Sequence, residues 1–153
     1  MRTEERNAMD TVNLEDILVT PLKRIPTVGG DVLHVLRNSD AGFNGFGEVY
    51  FSWVEQGAIK AWKYHQLMTL NLVVRLGEVR FVFHLADQKN RIRVETIGSE
   101  RYARLTVPPE VWLGFQGKAP GNSLLMNVAD MAHDPDEILR KPESEFNYNW
   151  SLK

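Results

Sequence analysis

The segment "EVRFVFHLAD", residues 78–87, constrains the fold of this chain most, because apolar and polar side chains alternate along it. Four apolar side chains recur at every second position: Val79, Phe81, Phe83 and Leu85. The intervening positions hold Glu78, Arg80, Val82 and His84. Successive side chains of a β-strand point to opposite faces, whereas a helix repeats about every 3.6 residues. The pattern therefore predicts a half-buried strand with one face on a hydrophobic core.

Similar short runs, separated by turn residues, occupy most of the chain. They are "DVLHVLR" (31–37), "GEVYFSWV" (47–54), "GAIKAWKYH" (57–65), "TLNLVVRL" (69–76), "RIRVETIG" (91–98), "RYARLTVP" (101–108), "EVWLGFQG" (110–117) and "NSLLMNVAD" (122–130). A spacing of roughly 8–12 residues between such runs is typical of an all-β sandwich or barrel. We therefore expect residues 14–153 to form a single β domain, preceded by a polar N-terminal arm at residues 1–13.

One short helix is predicted near the C-terminus, at "HDPDEILRK". Asp134 is a candidate N-cap and Pro135 suits the first helical position. Arg140 and Lys141 would stand at the opposite end, and the following proline would stop the helix. The N-terminal arm is expected to be frayed or weakly helical. The segment "FNYNW", residues 146–150, is expected to be a final strand or an extended packing segment.

Composition excludes several classes of function. The 153 residues carry a net charge of −2, so no basic excess indicates a nucleic-acid partner or an anionic membrane surface. No apolar run reaches about 18 residues, and the N-terminus lacks a signal-peptide pattern, so a cytoplasmic protein is expected. The chain has no cysteine, and its four histidines have no spacing that suggests a shared ion. We expect neither a metal nor a cofactor.

Polar residues cluster unusually in the strand "GAIKAWKYH". Alternation places Lys63 and His65 on one face and Lys60, Trp62 and Tyr64 on the other. Two orientations are open at this point. Lys63 and His65 can point to solvent, with the two aromatic rings in the core. Alternatively, they point into a wet barrel mouth that holds a ligand, since buried charges are costly without a partner.

The order of motifs resembles the dTDP-4-dehydrorhamnose 3,5-epimerase family of sugar-nucleotide cupins. The resemblance rests on "GAIKAWKYHQ", then "NLVVRLGEVRFVFHLAD", then "VPPEVWLGF", then a leucine-rich strand ending in "AD" and a closing tryptophan segment. It extends from about Val19 to Trp150. It implies an all-β, cupin-type double-stranded β-helix, or jelly roll, with short helices at the N-terminus and near the C-terminus. It also implies a homodimer without metal.

The resemblance implies a nucleotide-sugar epimerase or isomerase in deoxysugar or polysaccharide biosynthesis. Such enzymes act on a 4-keto-6-deoxy sugar attached to a nucleoside diphosphate. A base removes the proton next to the keto group, a cation stabilises the enolate, and an acid returns the proton. The alternative is a non-catalytic cupin that binds a sugar nucleotide after losing the family's catalytic residues.

The standard catalytic set is only partly present. Lys60 stands at the family's arginine, and Lys63 stands at its catalytic histidine. His65 matches a second histidine of the related ketoisomerases. Leu113 replaces a pocket histidine, and Met126 stands near the family's acid tyrosine. The scaffold is therefore expected to be retained with a different set of chemical groups.

His65 is the expected base, because its reference pKa of about 6.5 suits proton abstraction at neutral pH. Lys63 is the second expected catalytic residue, as an enolate cation or as a base if its pKa is lowered from about 10.4. The expected substrate-binding residues are Lys60, Glu48, Ser52, Asn71, Arg75 and Trp112. A tryptophan such as Trp112 can stack on a sugar or base ring, although strand tryptophans are more often core or interface residues.

Overall fold

The computed structural model describes residues 11–86 and 91–153, so most of the predicted N-terminal arm lies outside the described residues. Twelve strands are described: β1 (Leu18–Pro21), β2 (Arg24–Ile25), β3 (Val32–Leu33), β4 (Glu48–Val54), β5 (Ile59–His65), β6 (Leu70–Leu76), β7 (Glu78–His84), β8 (Ile92–Gly98), β9 (Ala103–Val107), β10 (Trp112–Gly117), β11 (Ser123–Ala129) and β12 (Ile138–Arg140). The helical parts are 3₁₀ turns at Leu14–Asp16, Pro135–Glu137 and Glu143–Glu145. No helix in this described part is long and apolar enough to cross a membrane.

Two five-stranded antiparallel sheets form the body of the molecule. The first sheet has the strand order β1-β9-β6-β11-β4, and the second has the order β12-β5-β10-β7-β8. A separate hairpin pairs β2 with β3. From β4 to β7 and from β8 to β12 the consecutive strands alternate between the two sheets, as in a jelly roll, whereas β7 and β8 are neighbours in the second sheet. The predicted all-β fold is confirmed, and the helices within the described residues are only short 3₁₀ turns.

The main core lies between the two sheets and is built from the alternating faces of the strands. Val79, Phe81 and Phe83 of β7 are completely buried in it, as the alternation of this segment predicts. They meet Leu72 and Leu105 of the first sheet. Burying a large apolar side chain contributes roughly 1.5–3 kcal/mol, so this layer holds the two sheets together.

A second, smaller cluster covers the outer face of the second sheet. It contains Val82, Trp62, Trp112 and Trp150. The segment "FNYNW" forms no strand, and it packs its aromatic rings against this cluster, with Phe146 at 5.1 Å from the Trp62 ring. This is the extended packing segment that the sequence allowed. It buries the outward face of β5 and leaves the inward face of that strand to the interior.

The predicted helix near the C-terminus is wrong beyond its first turn. Asp134 does accept a hydrogen bond from the backbone N–H of Asp136 at 3.0 Å, as an N-cap does. The chain then turns extended at Ile138, and β12 pairs with β5. Backbone hydrogen bonds between Lys141 and Trp62 continue this pairing. Pairing with a distant strand therefore overrides a local helix signal.

The predicted strand at residues 31–37 is also shorter in the structure, where it covers only Val32–Leu33. Side chains of β9 and its neighbour take up the following backbone carbonyls. Tyr102 donates its hydroxyl hydrogen to the His34 carbonyl at 2.9 Å, and the buried Arg104 guanidinium donates to the Val35 carbonyl at 2.6 Å. These side-chain bonds replace the ladder that a longer strand would form.

Candidate active site

A β-bulge in β5 sets which of its side chains face the interior. Lys63 lies opposite Leu113 of β10, whereas Lys60 lies opposite Phe115, so three steps along β5 match two along β10. The extra residue brings Lys60 and Lys63 to one face, although strict alternation separates them. The grouping of Lys60 with Trp62 and Tyr64 is therefore wrong.

Gly114 is the residue of β10 that makes room for this bulge. A Cβ atom at Gly114 would stand 2.7 Å from the Ala61 Cβ and 3.0 Å from the Trp62 ring. Those separations are too short for any larger residue without a backbone shift. The glycine in "EVWLGFQG" thus has a specific packing reason, and the bulge that it accommodates brings Lys60 to the cavity side of β5.

The bulged face of β5 borders a cavity of about 440 Å³ between the two sheets. Lys63 and His65 both line this cavity, which resolves the two orientations that alternation left open. The other lining residues are Tyr50, Ser52, Ile59, Lys60, Ala61, Trp62, Leu70, Leu72, Leu113, Phe115, Leu125, Asn127, Arg140 and Lys141. A cavity of this size suits a small-molecule ligand.

His65 is held by a buried carboxylate. Its Nδ1 atom lies 2.5 Å from Oε1 of Glu137, and both residues are buried. The second carboxylate oxygen accepts the backbone N–H groups of Leu67 at 3.1 Å and Met68 at 3.3 Å. Because Nδ1 is engaged with an acceptor, the ring carries its hydrogen there and keeps Nε2 as the basic nitrogen. The ring orientation is thus determined from outside the cavity.

The pKa shifts of His65 and Glu137 determine the charge of each residue at neutral pH. Burial lowers the pKa of His65 below 6.5, and the neighbouring Lys63 and Arg140 lower it further, against the opposing effect of Glu137. Burial raises the pKa of Glu137, but hydrogen bonds from His65 and the backbone outweigh it, so that this pKa lies below 4.5. At neutral pH the imidazole is therefore neutral and the carboxylate ionised. A neutral, oriented imidazole is competent as a base.

Three cationic side chains line the cavity beside His65: Lys60, Lys63 and Arg140. Burial lowers the pKa of Lys63, and the charges of Arg140 and Lys60 lower it further. Within residues 11–86 and 91–153, no aspartate or glutamate lines the cavity. An uncompensated group of cations is suited to an anionic ligand.

Lys141 also borders the cavity, but its ammonium group is engaged elsewhere. Its Nζ atom lies 4.9 Å from the centre of the Trp112 ring and 3.4 Å from the Glu145 carboxylate. Both partners belong to the outer side of the second sheet. Lys141 therefore directs its ammonium group to the outer side, although its backbone pairs with β5, the strand that carries Lys63.

The first sheet supplies the opposite wall of the cavity, where the polar groups are uncharged. Tyr50 and Ser52 project from β4, and Asn127 projects from β11. The Asn127 amide donates to the Tyr50 hydroxyl oxygen at 3.2 Å. The rest of this wall is aliphatic, with Leu70, Leu72 and Leu125. The cavity is thus charged on one side and neutral on the other.

The structure brings together four of the eight predicted site residues: His65, Lys63, Lys60 and Ser52. Glu48, at the start of β4, is not part of the cavity lining. Arg75 is exposed near the end of β6 and is not part of it either.

Asn71 and Trp112 lie outside the cavity lining for different reasons. Asn71 is buried on the other face of β6, where its side chain accepts from Thr106 at 2.6 Å and donates to the Gly42 carbonyl at 3.1 Å. Trp112 belongs to the outer aromatic cluster, with its ring 5.0 Å from that of Tyr64. The position of Trp112 agrees with the core interpretation of strand tryptophans.

Sequence reasoning missed Glu137, Arg140, Tyr50 and Asn127 as site residues. In the predicted helix, Glu137 and Arg140 had an adequate local explanation as first-turn and last-turn charges. Only the strand pairing of β12 with β5 shows that they reach the interior. A usable signal was the alternation in "GEVYFSWV", which places Tyr50 and Ser52 on the same face.

Among the described residues, no group of three or more histidines or carboxylates could hold a metal ion.

Comparison with solved structures finds close similarity to a dTDP sugar isomerase from Desulfovibrio desulfuricans G20. The two chains share 35% sequence identity, with coverage of 89% of this chain and 91% of that chain and a TM-score of 0.83. Comparison of the sequence with protein-family models and with curated proteins finds no match.

More distant structures share the fold. QdtA, a sugar 3,4-ketoisomerase from Thermoanaerobacterium thermosaccharolyticum solved with TDP, has 18% identity over 84% of this chain and 90% of its own, with a TM-score of 0.71. The epimerase RmlC from Legionella pneumophila, solved with dTDP-4-keto-L-rhamnose, has 13% identity over 88% of this chain and 77% of its own, with a TM-score of 0.74. At these identities the likeness establishes the architecture alone.

Proposed function

The chain belongs to the family of dTDP-sugar isomerases and 3,5-epimerases, and on this premise we propose that it isomerises or epimerises a nucleotide-linked 4-keto-6-deoxy sugar. The reaction would begin with abstraction of the proton next to the keto group. The observation that carries the proposal is the neutral His65 ring, held by Glu137 in a cavity whose charged groups are all cations. The D. desulfuricans relative is a dTDP-sugar isomerase, which agrees with such a substrate.

His65 is the proposed base. Its Nδ1 hydrogen is held by Glu137, which leaves Nε2 to accept the substrate proton. When the ring takes that proton, the buried carboxylate is already in place to stabilise the imidazolium. Positioned base catalysis contributes roughly 10²–10⁴-fold to such reactions. Lys63 is less suited to this role, because it has no carboxylate partner among its described interactions to receive a positive charge or orient it.

Lys63 is the proposed cation for the enolate oxygen, and Lys60 and Arg140 are proposed to bind the diphosphate. Removing a proton next to a ketone moves an electron pair onto the carbonyl oxygen, and a fixed cation stabilises that negative charge. A diphosphate needs compensating positive charge, and Lys60 and Arg140 are the exposed cations at the edge of the cavity.

Ser52 stays a proposed substrate contact, and Tyr50 and Asn127 are proposed as further contacts. We propose structural roles for Asn71 and Trp112, whereas the predictions for Glu48 and Arg75 have no support from the cavity.

A solvent-exchange experiment tests the proposed function. The purified protein is incubated in deuterium oxide with dTDP-4-keto-6-deoxyglucose, and incorporation at C3 and C5 is followed by NMR. We expect exchange by the natural sequence and a loss of roughly 10²–10⁴-fold in His65→Asn. The matched control is His84→Asn, because His84 stacks on Phe146 at 4.0 Å outside the cavity. That variant is expected to keep its activity.

Two outcomes would contradict the proposal. Exchange that survives in His65→Asn would show that another group removes the proton. Tight binding of the nucleotide sugar without any exchange, over a panel of keto sugars, would instead identify a non-catalytic sugar-nucleotide-binding protein. Calorimetric titration with TDP separates that outcome from a failure to bind.

A homodimer is the proposed assembly, through the outer face of β4. This strand is at the edge of its sheet, and it exposes Val49, Phe51 and Trp53 to 49%, 62% and 58%. An exposed apolar edge strand is an aggregation hazard unless it is covered. Phe51→Glu is expected to give a monomer by light scattering, and Val94→Glu, on the opposite edge of the other sheet, is expected to stay dimeric. A monomeric natural protein would contradict the assembly.

The cytoplasmic location and the role in deoxysugar or polysaccharide biosynthesis stay predictions.

A further inference from the structure

The short strand β12 contributes to the cavity from both of its ends. Glu137 directly precedes this strand and holds His65. Arg140 is its last residue, lies opposite Lys63 of β5 and lines the cavity. Because β12 has three residues and lies at the edge of its sheet, it forms few ladder hydrogen bonds. The position of each end therefore depends also on contacts outside the ladder.

The Glu137 end of β12 is anchored without help from the outer aromatic cluster. Its carboxylate accepts the backbone N–H groups of Leu67 and Met68 in addition to its contact with His65. The Glu137 backbone carbonyl accepts the N–H of Gln66 at 2.9 Å. All of these partners lie at the end of β5 or just after it. The orientation of the base is therefore determined locally.

The Arg140 end is anchored on the outer face of the second sheet. Backbone hydrogen bonds of 3.0 and 3.1 Å join the next residue, Lys141, to Trp62 of β5. Just beyond them, the Trp62 indole N–H donates to the Glu143 carbonyl at 3.0 Å. Successive side chains of an extended chain point to opposite faces. A Lys141 side chain on the outer face therefore places the Arg140 side chain on the cavity face.

Two buried tryptophans of the outer cluster differ in this hydrogen bond. The ring centres of Trp62 and Trp150 are 5.5 Å apart, and both side chains are buried. The Trp62 N–H has the Glu143 carbonyl as its acceptor, whereas the Trp150 N–H is buried without a hydrogen-bond partner in the part of the chain that the structure describes. An indole offers a single donor and no acceptor. Replacing Trp62 by phenylalanine therefore removes one defined bond, and the same change at Trp150 removes none.

We propose that Trp62 is a positioning residue for substrate binding, because its hydrogen bond to the Glu143 carbonyl holds Arg140 on the cavity face of β12. The inference rests on the proposed function, in which Arg140 binds the diphosphate. The Trp62 ring belongs to the outer cluster, so it acts on the ligand through Arg140. The two ends of β12 then serve different stages of the reaction. The Glu137 end serves proton abstraction, and the Arg140 end serves binding of the anion.

The test measures TDP affinity and exchange kinetics in Trp62→Phe. We expect the calorimetric Kd for TDP and the KM for dTDP-4-keto-6-deoxyglucose to rise about threefold to tenfold, the usual effect of losing one hydrogen bond. The kcat for deuterium exchange should stay within about twofold, because the Glu137 end keeps its own bonds. Trp150→Phe is the matched control, since it truncates a buried ring of the same cluster without removing a bond. Its Kd should change by less than about twofold.

A double-mutant cycle with Arg140→Met separates positioning from a general loss of packing. If Trp62 acts through Arg140, Trp62→Phe should raise Kd by less than about twofold in the Arg140→Met background. Losses that multiply in the double variant would overturn the inference. Equal losses of affinity in Trp62→Phe and Trp150→Phe would do the same. A fall in kcat as large as the rise in KM would show that the two ends of β12 are not independent, which also contradicts it.

The same measurements distinguish failure of this inference from failure of the proposed function. If Arg140→Met weakens TDP binding and Trp62→Phe does not, the positioning role is wrong and the proposed function stands. If the natural protein does not bind TDP, or Arg140→Met binds it equally well, Arg140 does not bind the diphosphate and the inference fails with that assignment. If Trp62→Phe does not fold, Phe146→Leu loosens the same segment through the contact of Phe146 with the Trp62 ring. It should then raise KM and leave kcat unchanged, and an unchanged KM would overturn the inference.

Discussion

The two walls of the cavity differ in how they meet a ligand. The wall built by β5 and β12 carries His65, Lys63, Lys60 and Arg140, whereas the wall built by β4, β6 and β11 carries neutral polar groups among leucines. The first wall is supported by a buried carboxylate from outside the cavity, at Glu137. The second is supported by a hydrogen-bond chain through Asn127 and Asn71.

The difference shows how one cavity can bind an anionic substrate on one wall and use the other wall to bury its base. Cations without neighbouring carboxylates attract an anionic nucleotide and stabilise the charge that develops in the reaction. The leucines of the opposite wall help to bury the imidazole, and burial lowers the pKa of His65 by disfavouring its charged form. Substitutions in the charged wall should therefore have the largest effect on the chemistry.

The largest expected effect comes from removing the carboxylate that holds the charged wall in place. In Glu137→Gln, an amide can present its NH₂ group to His65 and favour the wrong tautomer. We expect kcat for deuterium exchange to fall by up to about 10⁴-fold, with TDP affinity within about threefold of the natural value. Exchange kinetics and calorimetric titration measure the two quantities.

The control for this variant is Glu145→Gln. Glu145 pairs with Lys141 on the outer side at 3.4 Å, so the same chemical change there should leave kcat unchanged. Glu137→Gln with normal kcat would show that the carboxylate does not orient the base.

The second largest effect is expected from the cations, and it sharpens the contrast between the cavity and the outer face. Lys63→Met should lower kcat by roughly 10²–10³-fold, the usual loss when one group that stabilises an oxyanion is removed. Because folding buries Lys63 beside Arg140 and Lys60 and so lowers its pKa, its charge is unfavourable to the folded state. The melting temperature of Lys63→Met should therefore equal or exceed that of the natural protein.

Lys141→Met is the matched comparison for Lys63→Met. Its ammonium lies over the Trp112 ring, outside the cavity, so kcat should change by less than about threefold. Equal losses in the two variants would contradict the assignment of Lys63 to the enolate.

The smallest effect is the pH dependence, about tenfold per pH unit on each side of the optimum. The pKa of His65 is below 6.5, so kcat/KM should keep its neutral-pH value as the pH is lowered to 6.5. It should fall only at a still lower pH, where the pH passes through the lowered pKa of His65. The lowered pKa of Lys63 should bring the alkaline fall below pH 10.5. Loss of the alkaline fall in Lys63→Met would support its assignment, and an acid limb above pH 6.5 would contradict the neutral His65.

The pKa shifts of His65 and Glu137 should also make the free energy of unfolding depend on pH under acidic conditions. Both His65 and Glu137 have depressed pKa values, so the unfolded chain binds more protons than the folded protein as the pH falls. In the unfolded chain the pKa is 6.5 for His65 and 4.5 for Glu137. Each residue contributes to the free energy of unfolding above its unfolded pKa, and this contribution is lost as the pH drops through the lower pKa of the folded protein.

The strands could be predicted because their information is local. The alternation in "EVRFVFHLAD" places Val79, Phe81 and Phe83 in the core, and they are completely buried there. The candidate site was only partly predictable from the same rule. His65 and Lys63 were identified with two orientations open, and the bulge opposite Gly114 moved Lys60 to their face. A bulge depends on a neighbouring strand that lies about fifty residues away, which no local pattern contains.

The sequence by itself determined an all-β chain, the buried face of its strands and the strand that carries His65, because side-chain alternation and turn residues act over a few positions. Only the tertiary structure decided that Glu137 holds His65, that Lys63 and Lys60 face one cavity, and that Tyr50 stands across from them. Those relations arise when strands distant in sequence pair and two sheets pack. Their physical basis is therefore the geometry between elements, and not the propensity of any one segment.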